Sequence, residues 1–240
     1  MLISTIAKIV PARARRRFHV LLVDQGWPVD KKQGVEGIRQ VGHRGYVSRA
    51  AVYDAMGLLQ YEFLLSKGLQ PSDVLCDVGC GSLRGGRHLI KYLERGSYLG
   101  LEGEQQLVEL GIAHELGEET YKAKAPEFLI SYEFEFSRFS RSPTFALAVS
   151  LFTHLNEDDI RLCLKNLADH VKGTCSFFAS FFETAEPIPN FKRSHAHLGF
   201  YYTREQMERF GRQAGWTPGY IGEWGCFANQ SMMQFSITTK

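Results

Sequence analysis

The chain has 240 residues, of which 44% are hydrophobic and 22% are charged, and its formal net charge is +2. This composition is typical of a soluble globular protein, and so weak a charge gives no electrostatic argument for nucleic acid as the main partner. The five cysteines form no CxxC pair, which predicts reduced thiols. No run in the sequence is long enough to span a bilayer, and we therefore expect a soluble cytoplasmic protein.

The first 25 residues combine an apolar run, MLISTIAKIV, with arginines at positions 13, 15, 16 and 17. A secretory signal places its positive charge before the apolar run, and this run is too short to cross a bilayer. Peripheral membrane contact by residues 1–25 is one interpretation, and a solvated amphipathic helix is the one we favour. The segment KKQGVEG predicts a turn or loop at 31–37. We divide the chain into an N-terminal arm or helical extension at 1–45 and one domain at 46–240.

From about residue 47 onward, helical and strand patterns alternate. Helices are predicted at about 47–68, 84–94, 104–116, 156–171 and from Thr203 onward, and strands at 73–79, 98–102, 128–134, 144–152, 174–182, 217–224 and 231–239. This alternation predicts an open, doubly wound α/β sheet of seven mainly parallel strands. The last two strands follow one another without a helix, which predicts an antiparallel last strand.

A glycine-rich loop follows the first strand, in the stretch VLCDVGCGSLRGG at 74–86. It departs from the dinucleotide fingerprint GxGxxG because Arg84 stands at the third glycine position. Asp77 precedes Gly79 by two residues, where an acid disfavours a pyrophosphate. Glu102 and Glu133 end the second and third strands. In an open sheet these strand ends meet at one edge, and three acids there suit a nucleoside that carries an ammonium and a sulfonium.

Together with SLFTHL at 150–155, these motifs resemble those of the class I S-adenosylmethionine (SAM)-dependent methyltransferases. The resemblance covers about residues 46–240. It is closest to a bacterial subgroup that carries DVGCGSLRGG and FTHL, with members associated with glycan and natural-product pathways. It implies a Rossmann-like fold, methyl transfer as the activity and SAM as the cofactor.

The resemblance also implies roles for the residues of the glycine loop. Asp77 positions the amino acid end of the cofactor, and an internal cap of the loop is its alternative role. Gly79, Cys80 and Gly81 let the backbone approach the cofactor, Cys80 as a small residue without a redox role. Glu102 holds the ribose hydroxyls, a position where the subgroup usually has Asp.

Further cofactor contacts are implied around this loop. Glu133 and Phe134 lie at the adenine, although Phe134 is also compatible with simple core packing. The remaining candidates are Ser150 and Leu151 beside the methionine and the transferable methyl, and Gln60 and Arg84 for the carboxylate. An exposed position at the start of a helix is the alternative for Arg84.

Methyl transfer to a hydroxyl requires a base near the methyl group, and histidine is the first candidate. His154 lies in FTHL, and His195 and His197 lie in the long connection at 183–202. A structural or cofactor-side role is the alternative for His154, and an ordinary loop position for the other two. The HxH pair lacks a third ligand at a fitting spacing, and we predict no metal.

Three residues are candidates for the substrate wall, namely Tyr201 in that connection and Glu223 and Trp224 between the last two strands. For Trp224, plain packing is the alternative. We expect O-methylation of a small hydroxyl-bearing acceptor, a sugar or natural-product intermediate, because SLFT replaces the NPPY-type tetrapeptide of many N-methyltransferases. The alternatives are methylation of a nitrogen, tRNA or protein, an NAD-dependent oxidoreductase, and a non-catalytic cofactor-binding protein. The oligomeric state stays open.

Overall fold

The computed structural model describes residues 12–26, 29 and 32–239. These residues form the strands β1 Leu75–Val78, β2 Tyr98–Glu102, β3 Glu127–Ile130, β4 Phe145–Ala148, β5 Thr174–Glu183, β6 Tyr201–Tyr202, β7 Thr217–Gly222 and β8 Ser231–Thr238. The α-helices among them are α1 Ala12–Asp24, α2 Gly34–Val47, α3 Tyr53–Ser66, α4 Gly86–Tyr92, α5 Gln105–Gly111, α6 Glu118–Lys124, α7 Glu157–His170 and α8 Arg204–Gln213. A π-helical turn, Ile112–Leu116, follows α5.

The sheet has the strand order β3-β2-β1-β4-β5-β8-β7. Strands β1 to β5 pair in parallel, and β8 is antiparallel to both of its neighbours, β5 and β7. The predicted doubly wound, mainly parallel sheet with an antiparallel last strand is therefore confirmed. The short strand β6 pairs with β5 off the main order, and its two residues are too few to show a strand pattern.

Both faces of the sheet are buried, which explains the continuous apolar strands. Phe177 of β5 packs into the cluster on one face, with Phe152 and Phe235. Its neighbour Phe178 packs into the cluster on the other face, with Leu89 of α4. Because successive side chains of a strand point to opposite faces, an unbroken apolar run fills both clusters.

Helices α7 and α8 begin at the positions where the sequence predicts helices. The Asn156 side chain accepts a hydrogen bond of 2.8 Å from the backbone N–H of Asp159 at the start of α7. Thr203 and Gln206 form a reciprocal capping box at the start of α8. These side chains satisfy N–H groups that have no partner within the helix.

The N-terminal region differs from the prediction. Helix α2 begins at Gly34, inside the segment predicted as a turn or loop, and it bends at Gly42, where φ is 76°. The helix expected from about residue 47 begins at Tyr53, because Ser48 is extended and a short 3₁₀ turn precedes α3. Helix α2 runs across the proposed boundary at 45, and the division there stays a prediction.

Part of the N-terminal arm, residues 1–11, lies outside the described residues. Among the residues described, no helix is both long and apolar enough to cross a membrane.

A shared carboxylate ties α2 to the rest of the domain. Glu115, in the π-helical turn, accepts hydrogen bonds from Nε of Arg44 at 2.6 Å, Nε2 of His43 at 2.8 Å and Nη1 of Arg87 at 2.9 Å. Its side chain is only 2% exposed. Burial alone would raise the pKa of Glu115, but the hydrogen bonds from Arg44 and His43 outweigh it and hold that pKa below its ordinary value.

We expect Glu115→Gln to lower the free energy of unfolding by about 2–3 kcal/mol, because two guanidinium groups and an imidazole lose their shared carboxylate. Urea unfolding measures this change. Glu118→Gln is the matched control, since Glu118 is exposed and its partner Lys122 lies 3.8 Å away. We expect the control to change stability by less than about 0.5 kcal/mol. Equal effects of the two substitutions would show that the Glu115 cluster does not anchor α2.

Candidate active site

Two adjoining cavities lie at the carboxyl ends of the central parallel strands. The small cavity has a volume of about 150 Å³ and is lined by the glycine loop together with Gln60, Asp77 and Arg84. The large cavity, of about 470 Å³, extends past the end of β3 to the connection before β6. Among the described residues, six line both of them, namely Tyr46, Gly79, Glu102, Leu151, His154 and Ala196. The two cavities therefore form one cleft at the edge where an open α/β sheet binds its ligands.

The glycine loop needs its glycines for conformation as well as for space. Gly79 and Gly81 have φ values of 74° and 55°, a region that side chains disfavour. The backbone N–H of Gly79 donates to the carbonyl of Leu101 at 2.8 Å, which fixes the start of the loop against β2. A Cβ at Gly85 would lie 2.2 Å from Oε1 of Gln60. Glycine at 85 therefore lets the Gln60 amide lie directly against the loop, beside the small cavity.

Two buried charges of opposite sign line the small cavity. Asp77 accepts a hydrogen bond of 2.7 Å from the Tyr98 hydroxyl, and burial raises the pKa of Asp77 to about 6. Arg84 is only 5% exposed, and its Nε has no hydrogen-bond partner among the described residues. Burial lowers the pKa of Arg84, and its attraction to Asp77 acts without a hydrogen bond between them. A buried guanidinium nitrogen without a partner points to a ligand acceptor at this place.

Glu102 ends β2 and lines both cavities. Its carboxylate accepts hydrogen bonds from the backbone N–H groups of Gly81 at 2.8 Å, Gly103 at 2.9 Å and Glu104 at 3.1 Å. Burial raises the pKa of Glu102, and these N–H groups oppose that rise. A carboxylate has about four acceptor sites. Three backbone donors can thus fix the group and leave it able to accept a further hydrogen bond from a ligand hydroxyl.

The predicted adenine residues both line the large cavity. Glu133 is exposed, and its backbone N–H donates to the Ser131 hydroxyl at 3.0 Å. Phe134 is buried and has a φ of 52°. Positive φ in a bulky residue is rare, and backbone strain of this kind is found mostly at functional sites. The structure therefore brings these two residues together in the large cavity.

Ser150, at the end of β4, also has a positive φ, 63°. Its backbone N–H donates to the Ser180 hydroxyl at 2.8 Å, and its own hydroxyl accepts from Nε2 of Gln230 at 3.0 Å. The Ser180 hydroxyl donates to Oε1 of Gln230 at 2.6 Å. This buried network holds the strained turn that carries Ser150 and Leu151 into the cleft. Gln230 was missed by the sequence analysis, because one glutamine between two strands has no distinguishing pattern.

The three predicted histidines have different surroundings. His154 lines both cavities, and its Nδ1 lies 2.9 Å from the carbonyl oxygen of Leu198. His195 lines the large cavity, and its Nδ1 accepts a hydrogen bond of 3.1 Å from the backbone N–H of His197. His197 does not occur among the described residues that line the cleft. Its Nε2 lies 3.1 Å from the carbonyl oxygen of Lys32, and its ring contacts Tyr46 edge-on at 4.9 Å.

The three predicted substrate residues are not among the described residues that line the two cavities. Tyr201 is held away from the cleft by stacking on Phe182 at 5.2 Å. Trp224 is buried against Phe63 at 5.4 Å, and Glu223 is exposed. Plain packing thus accounts for Trp224, and the cavity geometry does not support a substrate role for any of the three.

Tyr46 is a cleft residue that the sequence analysis missed. It lies on α2, and its hydroxyl accepts a hydrogen bond of 2.9 Å from the backbone N–H of Gly34 at the start of the same helix. The sequence predicts a turn or loop at the start of this helix, and no local pattern marks its inward-facing residues. Among the described residues no group of three metal-ligating side chains occurs that could hold a metal ion.

Stability should depend on pH through Asp77. Its pKa rises from 3.8 to about 6 on folding, so it stabilises the fold below pH 4 and loses that contribution as the pH rises through 6. Asp77→Asn removes this titration. We therefore expect the free energy of unfolding of the wild type, minus that of Asp77→Asn, to fall by about 3 kcal/mol as the pH rises through this range. Urea unfolding of both proteins at pH 4, 5, 6 and 7 measures the difference. A constant difference would contradict a titration of Asp77 there.

The comparison with family models finds no match to this chain, and no curated protein matches it. Solved structures do match. The magnesium protoporphyrin IX methyltransferase of Synechocystis PCC 6803, with bound S-adenosylhomocysteine (SAH), has a TM-score of 0.55 and 11% identity, over 93% of this chain and 94% of that chain. A SAM-dependent methyltransferase of Clostridium acetobutylicum has a TM-score of 0.51 and 10% identity, over 78% and 91%.

Human N-acetylserotonin methyltransferase, in complex with SAM, has a TM-score of 0.61 and 12% identity, over 91% of this chain and 62% of that chain. Each of these structures is less than 25% identical to this chain, and the likeness shows a shared fold. The chain has the fold of the class I SAM-dependent methyltransferases, as its motifs predict.

Proposed function

We propose that this protein is a SAM-dependent methyltransferase that O-methylates a small hydroxyl-bearing acceptor, such as a sugar or natural-product intermediate. The observation that carries the proposal is the pair of buried opposite charges, Asp77 and Arg84, beside the glycine loop. The amino acid end of SAM is a zwitterion, and its ammonium and carboxylate match these two charges. A dinucleotide pyrophosphate would place negative charge next to Asp77, which disfavours the NAD-dependent alternative.

The rest of the cleft fits the remaining parts of SAM in order. Glu102 would accept hydrogen bonds from the ribose hydroxyls, and Glu133 and Phe134 would lie at the adenine. Ser150 and Leu151 would contact the methionine end, near the residues shared by both cavities. When bound, SAM supplies an electrophilic methyl group on a positively charged sulfur. The protein supplies orientation and a base.

His154 is the residue best placed to act as that base. A carbonyl oxygen only accepts hydrogen bonds, so the contact with Leu198 places the proton of a neutral His154 ring on Nδ1 and the lone pair on Nε2. His154 lines both cavities, at the place where cofactor and acceptor would meet. We assign it the removal of the acceptor hydroxyl proton.

His195 suits a different role. Its Nδ1 accepts the His197 N–H, which places the proton of the neutral ring on Nε2. Burial lowers the pKa of His195, which favours this neutral form. We therefore assign His195 as a hydrogen-bond donor to the acceptor molecule. The contact between His197 and Tyr46 gives His197 a positioning role on the same side of the cleft.

Calorimetric titration with SAH tests the cofactor assignment. We expect Arg84→Gln to weaken SAH binding about 10- to 100-fold, because a charged hydrogen bond to the carboxylate is lost. Lys91→Gln is the matched control, since Lys91 is an exposed cation on α4, the helix that follows the glycine loop. It should leave the affinity unchanged. Tighter binding of NAD than of SAH, or equal SAH affinity in the two variants, would overturn the assignment.

The base assignment is tested with SAM that carries a labelled methyl group and a panel of phenols, catechols, sugars and amines. We expect transfer to a hydroxyl, and we expect His154→Gln to lower kcat at least about 100-fold while SAH affinity stays within about threefold. His170→Gln is the control, because the half-buried His170 ends α7 outside the two cavities and contacts the carbonyl of Arg141. Full turnover in His154→Gln would refute the base role, and transfer to amines alone would refute O-methylation.

A further inference from the structure

One face of helix α1 is hydrogen-bonded to the connection between β5 and β6. Arg16 donates hydrogen bonds to the carbonyl oxygens of Pro189 at 3.0 Å and Gly199 at 2.7 Å, and to Oδ1 of Asn190 at 3.0 Å. Its guanidinium also lies 4.7 Å from the centre of the Tyr201 ring. Arg16 is therefore bound to the protein, whereas the sequence predicts a solvated amphipathic helix here. It holds α1 against the connection between β5 and β6.

The opposite side of α1 carries an apolar stripe that faces solvent. Ala14, Phe18 and Leu21 follow one another at spacings of four and three residues, which places them on one face of the helix. Phe18 is 62% exposed and Leu21 is 52% exposed. Pro187 and Ile188, from the connection after β5, line the depression beside this stripe and extend its apolar surface. A helix of a soluble domain normally turns such a stripe inward.

Arginines flank this stripe. At 3.6 residues per turn, Arg15 and Arg17 lie on opposite sides of it, and both are exposed. Arg13 differs, because it pairs with Glu186 at 2.7 Å. The acidic residue of the helix, Asp24, is turned to the protein, where it accepts a hydrogen bond from the backbone N–H of Lys192 at 3.0 Å. The outward face of the described helix thus combines apolar and positive groups.

We propose that α1 is an interfacial helix that docks this protein on an anionic lipid bilayer. The apolar stripe would enter the boundary between headgroups and acyl chains, and Arg15 and Arg17 would contact lipid phosphates. The residues before the helix in the sequence, MLISTIAKIV, add apolar side chains and one lysine. This docking is independent of the proposed methyl transfer. It would bring the connection that contributes His195 and Ala196 to the large cavity close to the lipid surface.

Sedimentation of the full chain with lipid vesicles tests this docking. We expect binding to phosphatidylcholine vesicles that contain about one third phosphatidylglycerol, and weaker binding to pure phosphatidylcholine vesicles. The double variant Arg15→Gln with Arg17→Gln should bind the anionic vesicles roughly 20-fold more weakly. The double variant Phe18→Ser with Leu21→Ser should lose binding to both. Thermal unfolding confirms that each variant is folded before it is tested.

Two control variants make the same kinds of substitution at exposed positions outside α1. Phe227→Ser removes a phenylalanine that is 63% exposed in the connection before β8, and Arg39→Gln with Arg49→Gln removes two exposed arginines near α2. Both controls should bind vesicles like the wild type. Absence of wild-type binding, or binding that the α1 variants retain, would overturn the proposal. So would an oligomer in gel filtration that Phe18→Ser with Leu21→Ser dissociates, because the stripe would then be a protein interface.

Discussion

The close approach of three helices to the glycine loop is the constraint on which the cleft depends. A Cβ at Gly57 of α3 would lie 2.2 Å from the carbonyl oxygen of Arg84, and one at Gly111 of α5 would lie 2.7 Å from the carbonyl carbon of Ser82. On the side of α2, a Cβ at Gly81 would lie 3.2 Å from Val47. The helices can close on the loop because glycines stand at these contacts. The loop is thereby held in one conformation with its backbone still accessible from the cleft.

This packing also determines the electrostatics of the cleft. Asp77 and Arg84 are removed from water, and they do not compensate each other with a direct hydrogen bond. An uncompensated buried charge is costly, and the cost is recovered when a ligand supplies the opposite charge. A zwitterionic ligand end would satisfy both groups together. The two buried charges therefore lower the stability of the ligand-free protein, and a bound ligand would complete their charge pairing.

The two N-terminal helices, α1 and α2, also shape this cleft. Helix α2 contributes Tyr46 to both cavities, and the Glu115 cluster holds that helix in place. Helix α1 holds the connection that carries His195, through Arg16. Both Tyr46 and the connection that carries His195 thus depend on segments that precede the sheet in the sequence. If α1 binds a lipid surface, that contact would be transmitted through Arg16 to the connection that carries His195.

The sequence by itself determined the sheet, the glycine loop and the acids at the strand ends, because these depend on local periodicity and on neighbours along the chain. Its candidates Asp77, Glu102 and Phe134 line the cleft. It did not predict Tyr46, because α2 begins in a glycine-containing segment that predicts a turn or loop, and the Glu115 carboxylate that α2 contacts is distant in the sequence. It left Trp224 with two interpretations, the substrate wall or plain packing, and the tertiary structure buries Trp224 against Phe63. Contacts between segments far apart in sequence determine where Tyr46 and Trp224 lie, and no local sequence pattern encodes such contacts.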